Sequence, residues 1–327
     1  MKQIQHSLLL LLPLLACLLF VQSCKEKNEE FPPRSWSEYN YTGSGVEARD
    51  ISVIYFENDH SLWLGAKGSE GLLYHDGYEW NVLDTENTGI NFDSITSIIR
   101  DGNGKLWIGW RYGLANYDGT NWHEISELSG LRVTSIAVEG IAKIRVGIKG
   151  ISGGLATYDG YTWQFQTLTN SEIPSGNINA LASDHDQVLW LATEDKGIIR
   201  LKNEKWEVIS SGLPLVSENI SSIVTAPDNS IWAGSEQSQL IHFYTDTFTI
   251  LNTGTSKPIS SMAITEDGSV WCSTLGAGLI KFDGNNWTSF THANSALPSD
   301  EILYLTQGNP GYLIFSTSRG TLNYIKQ

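Results

Sequence analysis

The sequence predicts an all-β fold: a seven-bladed β-propeller of four-stranded antiparallel blades, with an N-terminal strand closing the last blade. Three observations carry this prediction. A motif centred on Trp63, Trp107, Arg145, Trp190, Trp232, Trp271 and Ile314 recurs every 38 to 45 residues, the period of a propeller blade rather than of a helical array. Between these anchors the chain is rich in β-branched and aromatic residues cut by Asp, Asn and Gly turns, and no capped helical period interrupts it. After Gly320 the chain has residues for a third strand but no fourth, while Trp36 stands 27 residues before Trp63, as Trp80 does before Trp107 and Trp163 before Trp190. Trp36 is therefore expected on the missing outer strand, so that the ring closes without an open sheet edge.

In chain order, residues 1–23 read as a lipoprotein signal peptide. Lys2 precedes a nearly continuous apolar run from Ser7 to Val21, shorter than the roughly 20 residues that a membrane-spanning helix needs. The run ends Leu19-Phe20-Val21-Gln22-Ser23-Cys24, which resembles a bacterial lipobox with Val21 where Leu is usual. The resemblance implies lipidation of Cys24, a membrane partner through that anchor, and, with Lys25 rather than Asp following, the outer membrane of a bacterial cell envelope, facing the periplasm or the surface. Cys17 leaves with the signal, so Cys272 is the one thiol expected in the domain. Residues 24–33 are charged and then broken by Pro32-Pro33, the composition of a solvated flexible tether. The propeller is expected over 34–327.

The second repeat shows how each blade is read. Ile95 to Ile99 is the first strand, Asp101-Gly102-Asn103-Gly104 a turn, Leu106 to Gly109 the second strand and Gly113 to Tyr117 the third. Asp118-Gly119 is expected to form a type I′ hairpin into a fourth strand around Trp122. The in-register Trp and Tyr side chains are expected to pack between blades rather than to stack on sugars.

The pattern Asp-x-x-Gly-x-Leu-Trp-x-Gly (Asp101 to Gly109), then Gly113-Leu114, then Tyr117-Asp118-Gly119-Thr120-Asn121-Trp122 resembles the two-component regulator propeller repeat. The resemblance runs from about Trp36 to the C-terminal residue and implies an exported propeller of the kind found in bacterial sensor regions. Those sensors commonly pair two propellers and continue into a histidine kinase. Neither feature is seen here, so a signalling step is not carried over, and the repeat residues themselves are scaffold.

Charge and motifs narrow the function. With 36 acidic against 21 basic side chains and a net charge of -15, nucleic acid is a poor partner. The seven histidines are isolated, with no zinc-ligand spacing, and His75 and His242 are expected as solvated imidazoles at blade edges. No nucleophile elbow, phosphate loop or dinucleotide fingerprint is present, and no metal or cofactor is expected.

Function is then expected where the repeat is broken. The loops joining second and third strands open onto the face where the chain enters each blade, and these loops vary. They supply the candidate ligand-binding residues Lys67, Trp110, Arg111, Tyr112, Lys149, Glu194, Glu236 and Arg319. Trp110, Arg111 and Tyr112 fall together and are expected to be exposed, a set suited to a protein hot spot or to carbohydrate stacking. The expected function is a binding or interaction module for a glycan, peptide or envelope protein. Two alternatives stand beside it: a lyase or hydrolase with Glu194, Glu236 or Glu301 near the central channel, and an input sensor for a separate two-component system.

Overall fold

The computed structural model describes residues 37–39, 50–57, 61–68, 71–308 and 311–326. Seven four-stranded antiparallel sheets make up the described chain, each in sequential strand order except the last. Blade 1 comprises Ile51–Phe56, Leu62–Ala66, Leu72–His75 and Trp80–Leu83. The others begin at Ile95, Arg132, Ile178, Ile220, Ile259 and Ile302. First strands of neighbouring blades pack on one another all the way round, blade 7 on blade 1 included. In blade 7 the fourth strand is Ser37–Tyr39, antiparallel to Leu322–Lys326 with Glu38 opposite Asn323, so the N-terminal strand closes the ring as the spacing requires. Trp36 itself, like Cys24 and the tether, lies outside the described residues. Deleting 34–40 should strip the outer edge of blade 7 and lower both solubility and melting temperature, whereas deleting 25–33 should change neither; equal melting curves for the two truncations would count against the closure.

Each anchor sits on a second strand, buried along its whole length in five blades, for example Leu106–Trp110 and Leu189–Thr193, and half-buried only at strand ends in blades 3 and 7. In blades 1, 2 and 4 the anchor indole is pinned by an acid six residues earlier. Trp107 Nε1 donates to Asp101 Oδ2 at 2.9 Å, Trp190 to Asp184 Oδ2 at 2.9 Å and Trp63 to Glu57 Oε2 at 2.9 Å. The Asp101 turn is thereby explained without a cation: Oδ1 accepts the N–H groups of Asn103 and Lys105 while Oδ2 holds the indole. Blade 3 keeps the acid and changes the anchor. There Arg145 is bidentate on Glu139 at 2.9 and 3.1 Å and donates to Thr157 Oγ1 at 2.7 Å. Blade 6 keeps the Trp and loses the acid, Thr265 standing in its place, and Trp271 Nε1 is buried without a partner. The rings pack across blade boundaries as expected, Trp107 on Trp163 at 6.2 Å and Trp63 on Trp122 at 6.3 Å.

A second device joins the blades. Every first strand carries a register shift near its start, such as Ile51/Val53 and Ile95/Ser97, so the residue inside the shift leaves the ladder. That residue lies eleven before the anchor and is Ser52, Thr96, Thr134, Asn179, Ser221 or Ser260 in blades 1 to 6. Each donates to a first-strand carbonyl of the next blade: Ser52 Oγ to Ile95 O at 2.6 Å, Thr134 Oγ1 to Ile178 O at 2.8 Å, Ser260 Oγ to Ile302 O at 2.7 Å. Blade 7 has Leu303 there, and Ser316 makes the closing bond instead, to Ile51 O at 2.7 Å. The blades approach closely at this level. A Cβ at Gly65 would lie 2.4 Å from the Ile95 side chain of the next blade, so only glycine fits.

Two local expectations are corrected. Gly119 (φ 97) is the one positive-φ residue of the Asp118–Asn121 turn, whereas type I′ needs two; this is the pattern of a type II′ turn, with Asp118 Oδ1 accepting the N–H groups of Thr120 and Asn121. Type I′ signs occur instead at Asn203-Glu204 (φ 52 and 62) and Thr245-Asp246 (φ 45 and 60). His75 is buried and His242 half-buried, neither a freely solvated imidazole. His75 is buried against Trp80 with its ring centroid at 4.8 Å. His242 stacks on Trp232 at 4.0 Å with Nε2 buried and unpartnered, and burial holds its pKa below the usual imidazole value. Helix is confined to Thr85–Thr88 and a 3-10 turn at Ser126–Leu128 among the described residues.

Candidate functional site

The residue four after each anchor stands at the same level in every blade, just past the second strand except in blade 3, where Lys149 is the strand's last residue. Its backbone N–H reaches the carbonyl at the start of that blade's first strand: Lys67 to Asp50 at 3.1 Å, Arg111 to Asp93 at 3.4 Å, Glu194 to Asn177 at 3.0 Å, Glu236 to Asn219 at 3.1 Å and Ser318 to Glu301 at 3.1 Å. These bonds bring the loop after the second strand and the start of the first strand together on one face. Read round the ring, this position is Lys67, Arg111, Lys149, Glu194, Glu236, Leu275 and Ser318. Three cations are followed by two carboxylates and two neutral residues.

The first five of these line one cavity of about 580 Å³. Its other lining residues come from the clasp level beneath and from the first-strand starts: Ser52, Ser94, Ile95, Thr96, Arg132, Thr134, Asn179, Asn219 and Ser221. The volume is that of a small-molecule site, and only Ile95 in the lining is apolar. Five of the eight candidate ligand-binding residues, Lys67, Arg111, Lys149, Glu194 and Glu236, are thus brought together. Lys149 Nζ bridges the two charge types, 3.1 Å from Glu194 Oε2 and 3.1 Å from Asn179 Oδ1. Lys67, Arg111, Arg132 and Glu236 have no ion pair within the described residues, and the Arg111 guanidinium lies 5.5 Å from the Tyr112 ring centroid.

The remaining candidates are placed elsewhere. Trp110 is 3% exposed, the last residue of its strand, and packs edge-on to Phe92 at 5.4 Å, so it is core and not an exposed clamp. The physical reason is register: the position three after the anchor is buried in all seven blades, as Ala66, Trp110, Ile148, Thr193, Ser235, Thr274 and Thr317. Tyr112 is exposed beside the mouth but does not line the cavity, and Arg319 and Glu301 are exposed on blade 7 outside its lining. Trp110→Ala should accordingly cost about 3 to 5 kcal/mol of stability. Arg111→Ala, one residue on, should shift it by no more than about 0.5 kcal/mol. Urea titration of the two variants checks this contrast.

Arg132 and the hydroxyl level escaped the sequence reading. Arg132 pairs directly with Lys149 at the start of the first strand of blade 3. The available signal was positional: six of seven residues eleven before the anchor are Ser, Thr or Asn. Cys272 is buried, and burial pushes its thiol up to about 12, which makes it packing rather than chemistry. No histidine lines the cavity, and among the described residues no group of His, Cys, Asp and Glu could hold a metal ion. No described helix is long and apolar enough to cross a membrane.

Comparison with known proteins agrees with this architecture. No curated protein matches the chain in sequence. Among solved structures, the extracellular domain of BT4673 from B. thetaiotaomicron superposes with a TM-score of 0.73 at 20% identity, over 88% of this chain and 39% of that one. The extracellular domain of the hybrid two component system BT3049 of the same organism gives 0.74 at 17% identity, over 90% and 41%. The chain therefore spans about two fifths of the length of these relatives. A catalytically inactive variant of virginiamycin B lyase from Staphylococcus aureus, solved with quinupristin, gives 0.73 at 12% identity, over 89% and 99%. At such identities the likeness is one of fold. The family model for the two component regulator propeller matches residues 89–109 and 172–195, which run into the second strands of blades 2 and 4. The chain is thus similar to the two component regulator propeller repeat in two of its seven blades, and to these solved propellers in fold.

Proposed function

We propose that the protein is an envelope binding module that receives a small polar ligand at the channel mouth. The observation that carries this reading is the convergence of Lys67, Arg111, Lys149, Glu194 and Glu236, one from each of five successive blades, on a single cavity of about 580 Å³. Scaffold geometry requires only a backbone N–H at that position, so its side chains are free to serve a ligand. The solved neighbours include propellers captured with a small molecule and with a peptide, quinupristin on the lyase and the D1 peptide on YCF48, which fits a ring that serves as a receptacle. A binding role is preferred to the lyase or hydrolase alternative because no His and Glu pair meets in the cavity to supply acid and base.

The same reading places the chain in the bacterial envelope, held by acyl chains on Cys24. Those chains would supply the membrane affinity that an acidic domain lacks. Cys24→Ser should shift the protein from the detergent phase to the aqueous phase. An unmodified mature N-terminus beyond Cys24 in mass spectra would remove the anchor.

The test of the binding role is a thermal-shift screen of soluble envelope compounds against wild type and the Lys67→Ala/Arg111→Ala/Arg132→Ala triple variant. Hits that stabilise wild type alone place the ligand at the mouth. Hits that stabilise both proteins equally move the site elsewhere.

A further inference from the structure

The charge order around the mouth says more than that a ligand binds there. Blades 1 to 3 contribute Lys67, Arg111, Arg132 and Lys149, while blades 4 and 5 contribute Glu194 and Glu236. The border between the two arcs is already neutralised by the Lys149–Glu194 pair at 3.1 Å. What remains for a ligand is a cationic arc of Lys67, Arg111 and Arg132 facing the lone carboxylate of Glu236. A net charge of -15 on the whole chain makes the cationic arc a local exception, and it favours an anionic group there. A ligand carrying only negative charge would meet Glu194 and Glu236 at its far end, and like charges at short range cost binding.

The level beneath adds a second constraint. The clasp hydroxyls of Thr96, Thr134 and Ser221 donate their single protons to Val133 O at 3.0 Å, Ile178 O at 2.8 Å and Ile259 O at 2.6 Å. A hydroxyl whose proton is committed has only lone pairs left, so the floor offers acceptors to a ligand that brings N–H donors. The cavity lining contains no aromatic ring, which removes the stacking platform that a neutral sugar would use.

We propose that the channel mouth binds a zwitterionic short peptide, its terminal carboxylate on Lys67, Arg111 and Arg132 and its α-ammonium on Glu236, with backbone N–H groups over the hydroxyl floor. This rests on the channel-mouth reading above and names its ligand class. The charged arcs stand on different blades, so the two termini must be separated, and an extended tripeptide of roughly 10 Å suits this better than a single amino acid. Arginine is suited to the carboxylate end because its planar fork can take both oxygens at once.

The experiment is calorimetric titration of the full chain with tri-alanine, N-acetyl-tri-alanine, tri-alanine amide and glucuronate. Free tri-alanine should bind at least tenfold more tightly than either capped form. Arg111→Ala should erase the advantage of tri-alanine over its amide, and Glu236→Gln the advantage over the N-acetyl form, each leaving the other comparison intact. Both residues are exposed, so unchanged melting temperatures should confirm that the variants fold. Equal affinity for tri-alanine and its N-acetyl form, or no saturable binding of tri-alanine, overturns the proposal. If glucuronate alone binds and Arg111→Ala abolishes it, the peptide assignment falls while the channel mouth survives as an anion site. Ligands that bind wild type and both variants alike would remove the mouth itself.

Discussion

Glu139→Ala is expected to destabilise the protein by about 3 to 5 kcal/mol, because it leaves a buried guanidinium without its carboxylate. The Arg145 side chain is 11% exposed and that of Glu139 5%, so water cannot replace the lost partner. In a domain of this size the loss should lower the melting temperature by on the order of 10 °C. The reverse substitution should behave differently. Arg145→Trp restores the ring that blades 1, 2 and 4 carry, and places an indole N–H six residues after Glu139, as Trp63 stands to Glu57 at 2.9 Å. Glu139 would keep Lys143 Nζ at 3.0 Å and gain the indole N–H, so its carboxylate is not orphaned and this variant should cost less than Glu139→Ala. A Glu139→Ala melting temperature within 2 °C, roughly 1 kcal/mol, of wild type would show that the pair does not hold blade 3.

Trp107→Ala should be comparably severe, about 3 to 5 kcal/mol, since a 2%-exposed indole is removed from between two blades. The more discriminating comparison is between two Trp→Phe changes. Trp107→Phe keeps most of the ring but strips the donor from Asp101 Oδ2, and an orphaned buried acceptor costs about 1 to 3 kcal/mol. Trp271→Phe removes an N–H that has no partner, so it should cost less than about 1.5 kcal/mol, the scale of a tolerated apolar swap. Chemical denaturation of both variants against wild type measures the difference. If the two cost the same, the acid six residues before the anchor is not what pins the ring.

Gly109 and Trp107 mark a second strand because the motif repeats, and the closure by an N-terminal strand followed from counting strands against the chain. The five charged residues at the mouth were legible for a related reason: they occupy one position of the repeat yet differ from blade to blade. Trp110 was misplaced because its strand runs one residue further than the repeat indicates. Its burial depends on Phe92, which reaches it from the connection before blade 2. Arg132 was missed because the first strand of blade 3 starts earlier than its neighbours, a matter of pairing with Lys149.

The sequence by itself determined the period, the strand order, the ring count and the side chains available at each repeat position, since these follow from local hydrophobic alternation and turn chemistry. Tertiary structure alone decided which of those side chains meet. The register shift in each first strand turns Ser52, Thr96 and their equivalents out of the ladder and onto the next blade, and side-chain direction in a strand reverses with every residue of register. With the seven blades drawn together at that level, side chains some 40 residues apart in the chain become walls of one cavity. Positions that look equivalent along the sequence thereby become a cationic arc facing a carboxylate.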